Sequence, residues 1–528
     1  MNAPIVRPAS AANIWLTSTS ALLLVGVLLG LIASGFDAMT VMIGCLLAMA
    51  APIGIVDILW NKVYRRRSAG LGNGGAEPLA AHLQRVAIKL LGLWLTLALI
   101  ALAYWALPEY GGDFYAPFFD LVTLIGPAFA LGSIPYFLLV DRRMSKPRDG
   151  YWLAGRLLLG LLPAGPEERD TLKHFALGWA IKAFFLPLMT VFLFGNIQWM
   201  IDNDLGQALS PDAFGWWLRL AFFIDVAFAT IGYMLTLRLL DNHIRSANPL
   251  LLGWVVAIIC YPPFWNLIEG QYLNFSGPES WEFWLASSPV LYSLWGAALL
   301  ALIFFYSWST AAFGLRFSNL THRGIITGGP YALTKHPAYI SKNIFWWLSA
   351  MPFLSSNGWE FAAKGCLLLG LVNAIYFVRA RTEERHLSQD PAYAAYARWI
   401  GEHGVFGRLT GKSKLRATGH GEWRRAVLPV VLGSVVGMGA LTGLAAAAHD
   451  EAPQRALAQV AGPGGGFGLR GDARSGREDS GSDRPRHSDP APRPDGERKD
   501  HRGKPGESGR VAGGGDGLGK GIASGRGR

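Results

Sequence analysis

Eight long apolar runs, following one another through the first 313 residues, constrain this chain more than any other feature. They cover residues 14–36, 38–60, 90–107, 118–140, 175–201, 215–240, 250–270 and 290–313. A run of roughly 17 to 25 apolar residues crosses about 30 Å of hydrocarbon at about 1.5 Å of helix rise per residue. The fold class this predicts is all-α, a polytopic integral membrane protein. The first run is too long, and too closely followed by the second, to be a cleaved signal peptide. Composition agrees: of 528 residues 51% are hydrophobic and only 16% are charged, a balance that excludes an ordinary string of soluble domains.

The net charge of +11 would suit a nucleic-acid partner. Much of it, however, is Lys and Arg flanking the apolar runs, so no nucleic acid is required. Arg65, Arg66, Arg67 and Lys89 lie between runs two and three, Arg142, Arg143, Lys146 and Arg148 follow run four, and His243 and Arg245 follow run six. The alternate loops carry Glu109 and Asp113, then Asp202, Asp204 and Asp212, then Glu279 and Glu282. Basic loops mark the cytoplasmic side, which puts the amino terminus and the exits of the even-numbered runs there. The expected location is a bacterial inner (plasma) membrane.

Other features of the runs have ordinary explanations. Cys45, Cys260 and Cys366 are odd in number, far apart and apolar in setting, so they read as small buried side chains. Trp60, Trp105, Trp199, Trp216 and Trp217 stand near run ends, as in an interfacial aromatic belt. Asp57, Lys182, Arg219, Asp225, Asn266 and Glu269 fall within or at the ends of runs, where an unpaired charge costs at least a few kcal/mol. Ion pairs between helices and snorkelling ends account for such residues. Lys182, Arg219 and Asp225 are the three that would form an internal pair or line a polar cavity.

The loop leaving run eight, residues 321–343, is therefore cytoplasmic. Residues 344–354, a turn at Ser355, Ser356, Asn357 and Gly358, and residues 361–378 then form a tight hairpin with one short arm. The hairpin returns Arg379, Arg381, Glu383 and Glu384 to the same face. Residues 426–448, preceded by Arg424 and Arg425, would be a last span, making about 10 or 11 in all. From residue 449 the chain is rich in Gly, Arg, Asp, Pro and Ser, a composition that buries too little apolar surface to offset ordering entropy and predicts a disordered tail. Four regions follow: a multi-span region over 1–289, a core over 290–405, a basic linker with the last span over 406–448, and the tail over 449–528.

Two polar islands within the core hold the candidate chemistry. In the first, Gly328-Gly329-Pro330-Tyr331 is a turn signal and His336-Pro337 repeats the break. A rigid loop that ends at a helix start offers free N–H groups to a carboxylate or phosphate. The second island supplies Glu383 and Glu384, which diverge by about 100° on a helix, so only one of them is expected to face the loop. A carboxylate there accepts ribose hydroxyls or faces a cation, while its neighbour pairs with Arg379 or Arg381. Tyr393 and Tyr396 share a helix face and either cover the site or pack on the membrane surface.

The ordered elements Gly329-Pro330-Tyr331, Lys335-His336-Pro337-x-Tyr339, Glu383-Glu384-x-x-Leu387 and Tyr393-x-x-Tyr396, with a hairpin between the second and third, resemble the carboxy-terminal core of isoprenylcysteine carboxyl methyltransferases and related phospholipid methyltransferases. The resemblance covers roughly residues 290–405, about a fifth of the chain. It implies S-adenosylmethionine as cofactor in a cytoplasm-facing pocket, a membrane lipid or lipidated acceptor arriving from the bilayer, and no metal. By the resemblance His336, Glu383 and Glu384 are the catalytic candidates. Gly329, Pro330, Tyr331, Lys335, Pro337 and Tyr339 join them around the cofactor, and Asn343, Arg379, Arg381, Tyr393 and Tyr396 lie toward the acceptor. A carboxylate acceptor needs no base, whereas an amine or thiol would use His336.

This chain departs from the family in having Lys335 where arginine is usual, a point charge in place of a planar fork. It also has six or seven additional spans before the core, forming either an acceptor chamber or a fused membrane domain. Two other readings compete: an NADPH-dependent membrane reductase of the sterol-reductase type, and a non-enzymatic transporter or scaffold.

Overall fold

The computed structural model describes residues 6–72, 77–163, 165–203, 205–210, 213–277 and 279–409. Asp204, Asp212, the expected last span over 426–448 and the expected disordered tail lie outside the described residues. The chain is helical: α1 (Ile14–Ala33), α2 (Ala38–Leu59), α3 (Leu79–Ala106), α4 (Ala116–Asp141), a short α5 (Gly150–Leu158), α6 (Pro166–Asp202) and α7 (Ala213–Met234) come first. Short helices α8 (Leu251–Ile258), α9 (Phe264–Leu267) and α10 (Trp281–Leu285) precede α11 (Pro289–Ala311), α12 (Pro337–Ala350), α13 (Trp359–Leu387), α14 (Pro391–His403) and α15 (Val405–Leu409). Among the described residues eight helices, α1 to α4, α6, α7, α11 and α13, are long and apolar enough to cross a membrane. The strands β1 (Ser246–Ala247) and β2 (Thr321–His322) form one antiparallel pair, Ser246 opposite His322.

Helix α7 is the axis of the bundle. Phe222, Phe223, Val226, Ala227 and Phe228 are all buried, and the Ser307 hydroxyl of α11 donates to the Ala221 carbonyl at 2.6 Å. Residues before 290 thus pack directly on those after it. Where α7 ends, Arg323 is buried and donates to the carbonyls of Gly232, Leu235, Asn242, Leu315 and Phe317. The last carbonyls of a helix have no partner within it, and a guanidinium with five donors satisfies several of them at once. Helices α3 and α5 meet through glycine: a Cβ at Gly92 would lie 1.9 Å from the Tyr151 carbonyl oxygen, and one at Gly155 2.0 Å from that of Ile88. Only bare Cα atoms allow backbones this close.

The basic loops gather at one end. Ser68 donates to Asp241, Arg66 to the Ala11 carbonyl, and Ser145 N–H to the Gly70 carbonyl, so the amino terminus and the loops after α2, α4 and α7 meet there with the β1–β2 pair. At the other end Trp281 packs on Phe214, and Glu279 accepts from Ser356 N–H at 2.8 Å.

Residues 250–270 depart from the expected continuous span. α8 stops at Ile258, a cis Pro262-Pro263 bond follows, and α9 runs into a π-helical turn, Ile268–Tyr272. Proline lacks an N–H and clashes with the preceding turn, so paired prolines interrupt the helix. The segment still passes from the β1 end to the Trp281 end as a broken crossing.

Other expectations change too. α3 begins well before residue 90, because His82, Arg85 and Lys89 on its first turns find partners in Asp141 at 3.1, 2.6 and 2.8 Å. Lys182, Arg219 and Asp225 do not pair with one another. Lys182 donates to Thr236 at 2.6 Å, Arg219 lies over Trp199 at 5.0 Å, and Asp225 accepts from Tyr306 and Thr310. Arg219 and Asp225 stand six residues apart on α7, about 120° around the helix, and so face different neighbours. Trp60 and Trp105 protrude as a belt would require, but Trp216 is buried in the core.

Candidate functional site

The amino-terminal segment ties down the first island. Ala11 N–H donates to the Ile325 carbonyl at 2.9 Å, and the Thr327 hydroxyl to the Pro8 carbonyl at 2.8 Å. Gly329 has φ +59°, and a Cβ there would sit 2.7 Å from Cδ1 of Ile14, so conformation and space both call for glycine. A single 3-10 turn over Gly329–Ala332 follows, with Pro330 buried and the Tyr331 ring edge-on to Phe313. Pro337 opens α12, where its missing N–H costs nothing and its fixed φ suits the first helical position. His336 and Tyr339 therefore project from the first turn of one helix, their rings parallel and 5.7 Å apart.

The last turns of α13 meet them. Glu384 accepts from His336 Nε2 at 3.0 Å, with Lys335 Nζ at 3.3 Å and Arg381 at 3.2 Å. Tyr339 donates to Glu383 at 2.5 Å, and Arg379 reaches the same oxygen at 3.4 Å. The expectation that one glutamate alone faces the loop is corrected: both do. Their partners, residues 336 and 339, are themselves offset around the start of α12 and reach the two diverging carboxylates from separate sides.

A cavity opens beside these contacts. The partly exposed Lys335, His336 and Glu383 line its outer end, the buried Tyr261, Lys342, Tyr376 and Arg379 line its inner end, and Tyr306, Tyr331, Tyr339, Tyr393 and Tyr396 complete the wall. Arg379 is buried, bonds Asn319 at 2.7 Å and lies over Tyr339 at 5.3 Å. Tyr396 donates to the Tyr331 carbonyl at 2.7 Å, and Tyr393 and Tyr396 pack with Ile325 and Ile400. Burial pushes both phenols up, which keeps them neutral donors. Their face covers the motif loop.

Residues 293–389 match the Isoprenylcysteine carboxyl methyltransferase (ICMT) family. This segment is an ICMT-like core. No curated protein and no solved structure matches the chain. The match begins in α11 and ends just beyond α13, so it takes in both islands and the hairpin between them. It supports a membrane methyltransferase.

On the far side of His336 and Tyr339 the ICMT-like core has a second hollow, a groove lined by Ile340, Asn343, Asn373, Phe377 and Ile400. Asn343 belongs to this groove: it accepts from Asn373, which accepts from Trp347 Nε1 at 2.7 Å. Arg381 is two-thirds exposed and stays at the rim. Tyr306, Tyr261 and Asn319 escaped sequence reasoning, because each sits in or beside an apolar run with no neighbouring motif; Lys342 lies within the first island, between Tyr339 and Asn343, but holds no motif position of its own. Asp225 carried a signal as an intramembrane acid, but nothing local pointed to Tyr306 and Thr310 as its partners. His386, which bonds Ser246 at 2.9 Å, is a further lining residue the sequence analysis missed.

Proposed function

We propose that the ICMT-like core transfers a methyl group from S-adenosylmethionine to a hydrophobic acceptor, an isoprenylcysteine-like carboxyl group, a phospholipid or another lipid, on the cytoplasmic face of a bacterial inner membrane. The observation that carries this reading is the pair of contacts His336–Glu384 and Tyr339–Glu383 at the outer end of one cavity. The donor set fits the cofactor. Glu383 spends one oxygen on Tyr339 and Arg379, leaving acceptor capacity for ribose hydroxyls. Lys335 offers a point charge to the methionine carboxylate, and the tyrosine faces suit a sulfonium.

The bound cofactor supplies a methyl group activated by positive sulfur. The protein aligns the acceptor with it and keeps water out, since in-line displacement needs little else. His336, held by Glu384, takes a proton where the acceptor is an amine or thiol. Gly329, Pro330 and Pro337 shape the loop, and Tyr393 and Tyr396 hold its cover.

The arginines favour this reading over an NADPH reductase. Arg316 donates to the carbonyls of Asp241 and Arg323, Arg323 to five carbonyls, and Arg379 to Asn319 and Glu383, so these three are engaged already and do not form an open cluster for a 2′-phosphate. The test is transfer of tritiated methyl from S-adenosylmethionine into membrane extract. His336→Ala and Glu384→Ala should each lose about a hundredfold or more. Incorporation equal to wild type in both variants, or thermal stabilisation by NADPH and not by S-adenosylmethionine, would reject the reading.

A further inference from the structure

The inner end of the cavity holds a lysine left without a hydrogen bond among the described residues. Lys342 is 2% exposed, lines the cavity, and has no hydrogen-bond partner for Nζ among the described residues. Its ammonium lies over the Tyr306 and Trp346 rings at 5.2 Å each. Aromatic faces attract a cation but accept none of its hydrogen bonds in the way an oxygen does. Asp225, behind this wall, attracts the ammonium electrostatically, but its two oxygens are turned to Tyr306 and Thr310, accepting at 2.8 and 2.5 Å, and give Lys342 no hydrogen bond. Burying a charge without such a partner costs several kcal/mol, so a lysine placed this way awaits an oxygen from outside the chain.

Position says which ligand brings it. Lys335 and Glu383 line the outer end, whereas Lys342 lies five residues past Pro337 at the start of α12, about 7.5 Å along the helix, among aromatic walls. We propose that Lys342 binds an anionic group of the methyl acceptor, a carboxylate or a phosphate, and so positions the acceptor beyond the cofactor. The subsite rests on the methyltransferase reading for the word acceptor, but its chemistry is testable apart from that reading.

The experiment uses the full chain in lipid nanodiscs, with and without saturating S-adenosylhomocysteine, and four amphiphiles sharing a C16 tail: palmitate, hexadecyl phosphate, hexadecanol and hexadecyltrimethylammonium. Binding is read from thermal stabilisation and tryptophan fluorescence. One or both anions should bind at least about tenfold tighter than hexadecanol, a preference worth one decade of Kd. Preference for palmitate assigns a carboxylate acceptor, and preference for hexadecyl phosphate a phosphate one. Lys342→Met should abolish the preference and Lys342→Arg keep most of it, while affinity for S-adenosylhomocysteine stays within about twofold in both.

Equal binding of anions and hexadecanol by the wild type overturns the proposal, as does an anion preference that survives Lys342→Met. A loss of S-adenosylhomocysteine affinity in Lys342→Met overturns the assignment to the acceptor and gives the lysine to the cofactor. Should that variant fail to fold, acylation of Lys342 by an amine-reactive reagent, read by peptide mass spectrometry on the wild type, replaces it. Protection by hexadecyl phosphate or palmitate but not by hexadecanol supports the subsite, and equal protection refutes it. Absence of S-adenosylhomocysteine binding in the wild type would sink the methyltransferase reading alone.

Discussion

Two lysines buried in helices of this protein meet opposite fates. Lys89 on α3 lies 2.8 Å from Asp141 and 3.3 Å from Asp149, and Asp141 also receives Arg85 and His82. Arg85 in turn holds Glu77, so the cluster is closed: each charge in it has an opposite charge within reach. Lys342 on α12 is equally hidden, but among the described residues its ammonium has no hydrogen-bond partner, only ring faces and the field of an Asp225 whose oxygens are turned elsewhere. A closed cluster fastens helices together, here α3 to the end of α4 and the start of α5. An open one leaves binding capacity in place, and this one lines the cavity whose other end carries the His336, Tyr339, Glu383 and Glu384 contacts. Burial by itself therefore does not separate structure from function in a membrane protein; the presence or absence of a partner does.

Three substitutions break or sharpen that contrast. Asp141→Ala should have the largest effect, about 3 to 5 kcal/mol of lost stability, because it leaves Lys89 and Arg85 buried without their shared carboxylate. Thermal unfolding in detergent reads it, and an unchanged midpoint would mean the cluster fastens nothing. Next comes Tyr396→Phe, which deletes the donor to the Tyr331 carbonyl and should cost about 1 kcal/mol. Cofactor affinity should fall with it, since the motif loop loses its clamp; an effect on neither quantity would separate α14 from the site.

Lys342→Met should be the mildest for stability, within about 1 kcal/mol of wild type without ligand, because a buried ammonium with no hydrogen-bond partner among the described residues is replaced by an apolar chain of similar length. A midpoint falling as far as that of Asp141→Ala would place Lys342 with the fastening charges. Measured together, the first and third variants test the contrast directly, since one removes a shared carboxylate and the other an ammonium with no hydrogen-bond partner among the described residues.

Much of the bundle was legible in the sequence. Apolar runs in lipid are a local property, and the helices over residues 14–33, 38–59, 116–141 and 289–311 fall close to where those runs lie. The common end of the basic loops was legible for the same reason, since each loop carries its own charge. What the runs concealed were departures set by other segments: the early start of α3 depends on Asp141, which lies 59 residues beyond His82. The break in residues 250–270 was written in Pro262 and Pro263, but its hydropathy outweighed them in the reading.

For the candidate site, residue types and spacing brought the two islands together through one hairpin, and the family match covers that hairpin. The use of both glutamates was not legible, because the angle between neighbours on α13 says nothing of where His336 and Tyr339 stand. Those contacts join residues 48 and 44 positions apart. The inner end was hidden further, since Asp225 and its partners Tyr306 and Thr310 are separated by 81 and 85 positions.

By itself, then, the sequence determined that the chain is a bundle of apolar helices with two polar islands at one end, because partitioning of a helix into hydrocarbon depends on its own side chains. Tertiary structure alone decided which buried charges find hydrogen-bonding partners, because an ion pair or hydrogen bond exists only where two distant helices place donor and acceptor within about 3 Å of each other.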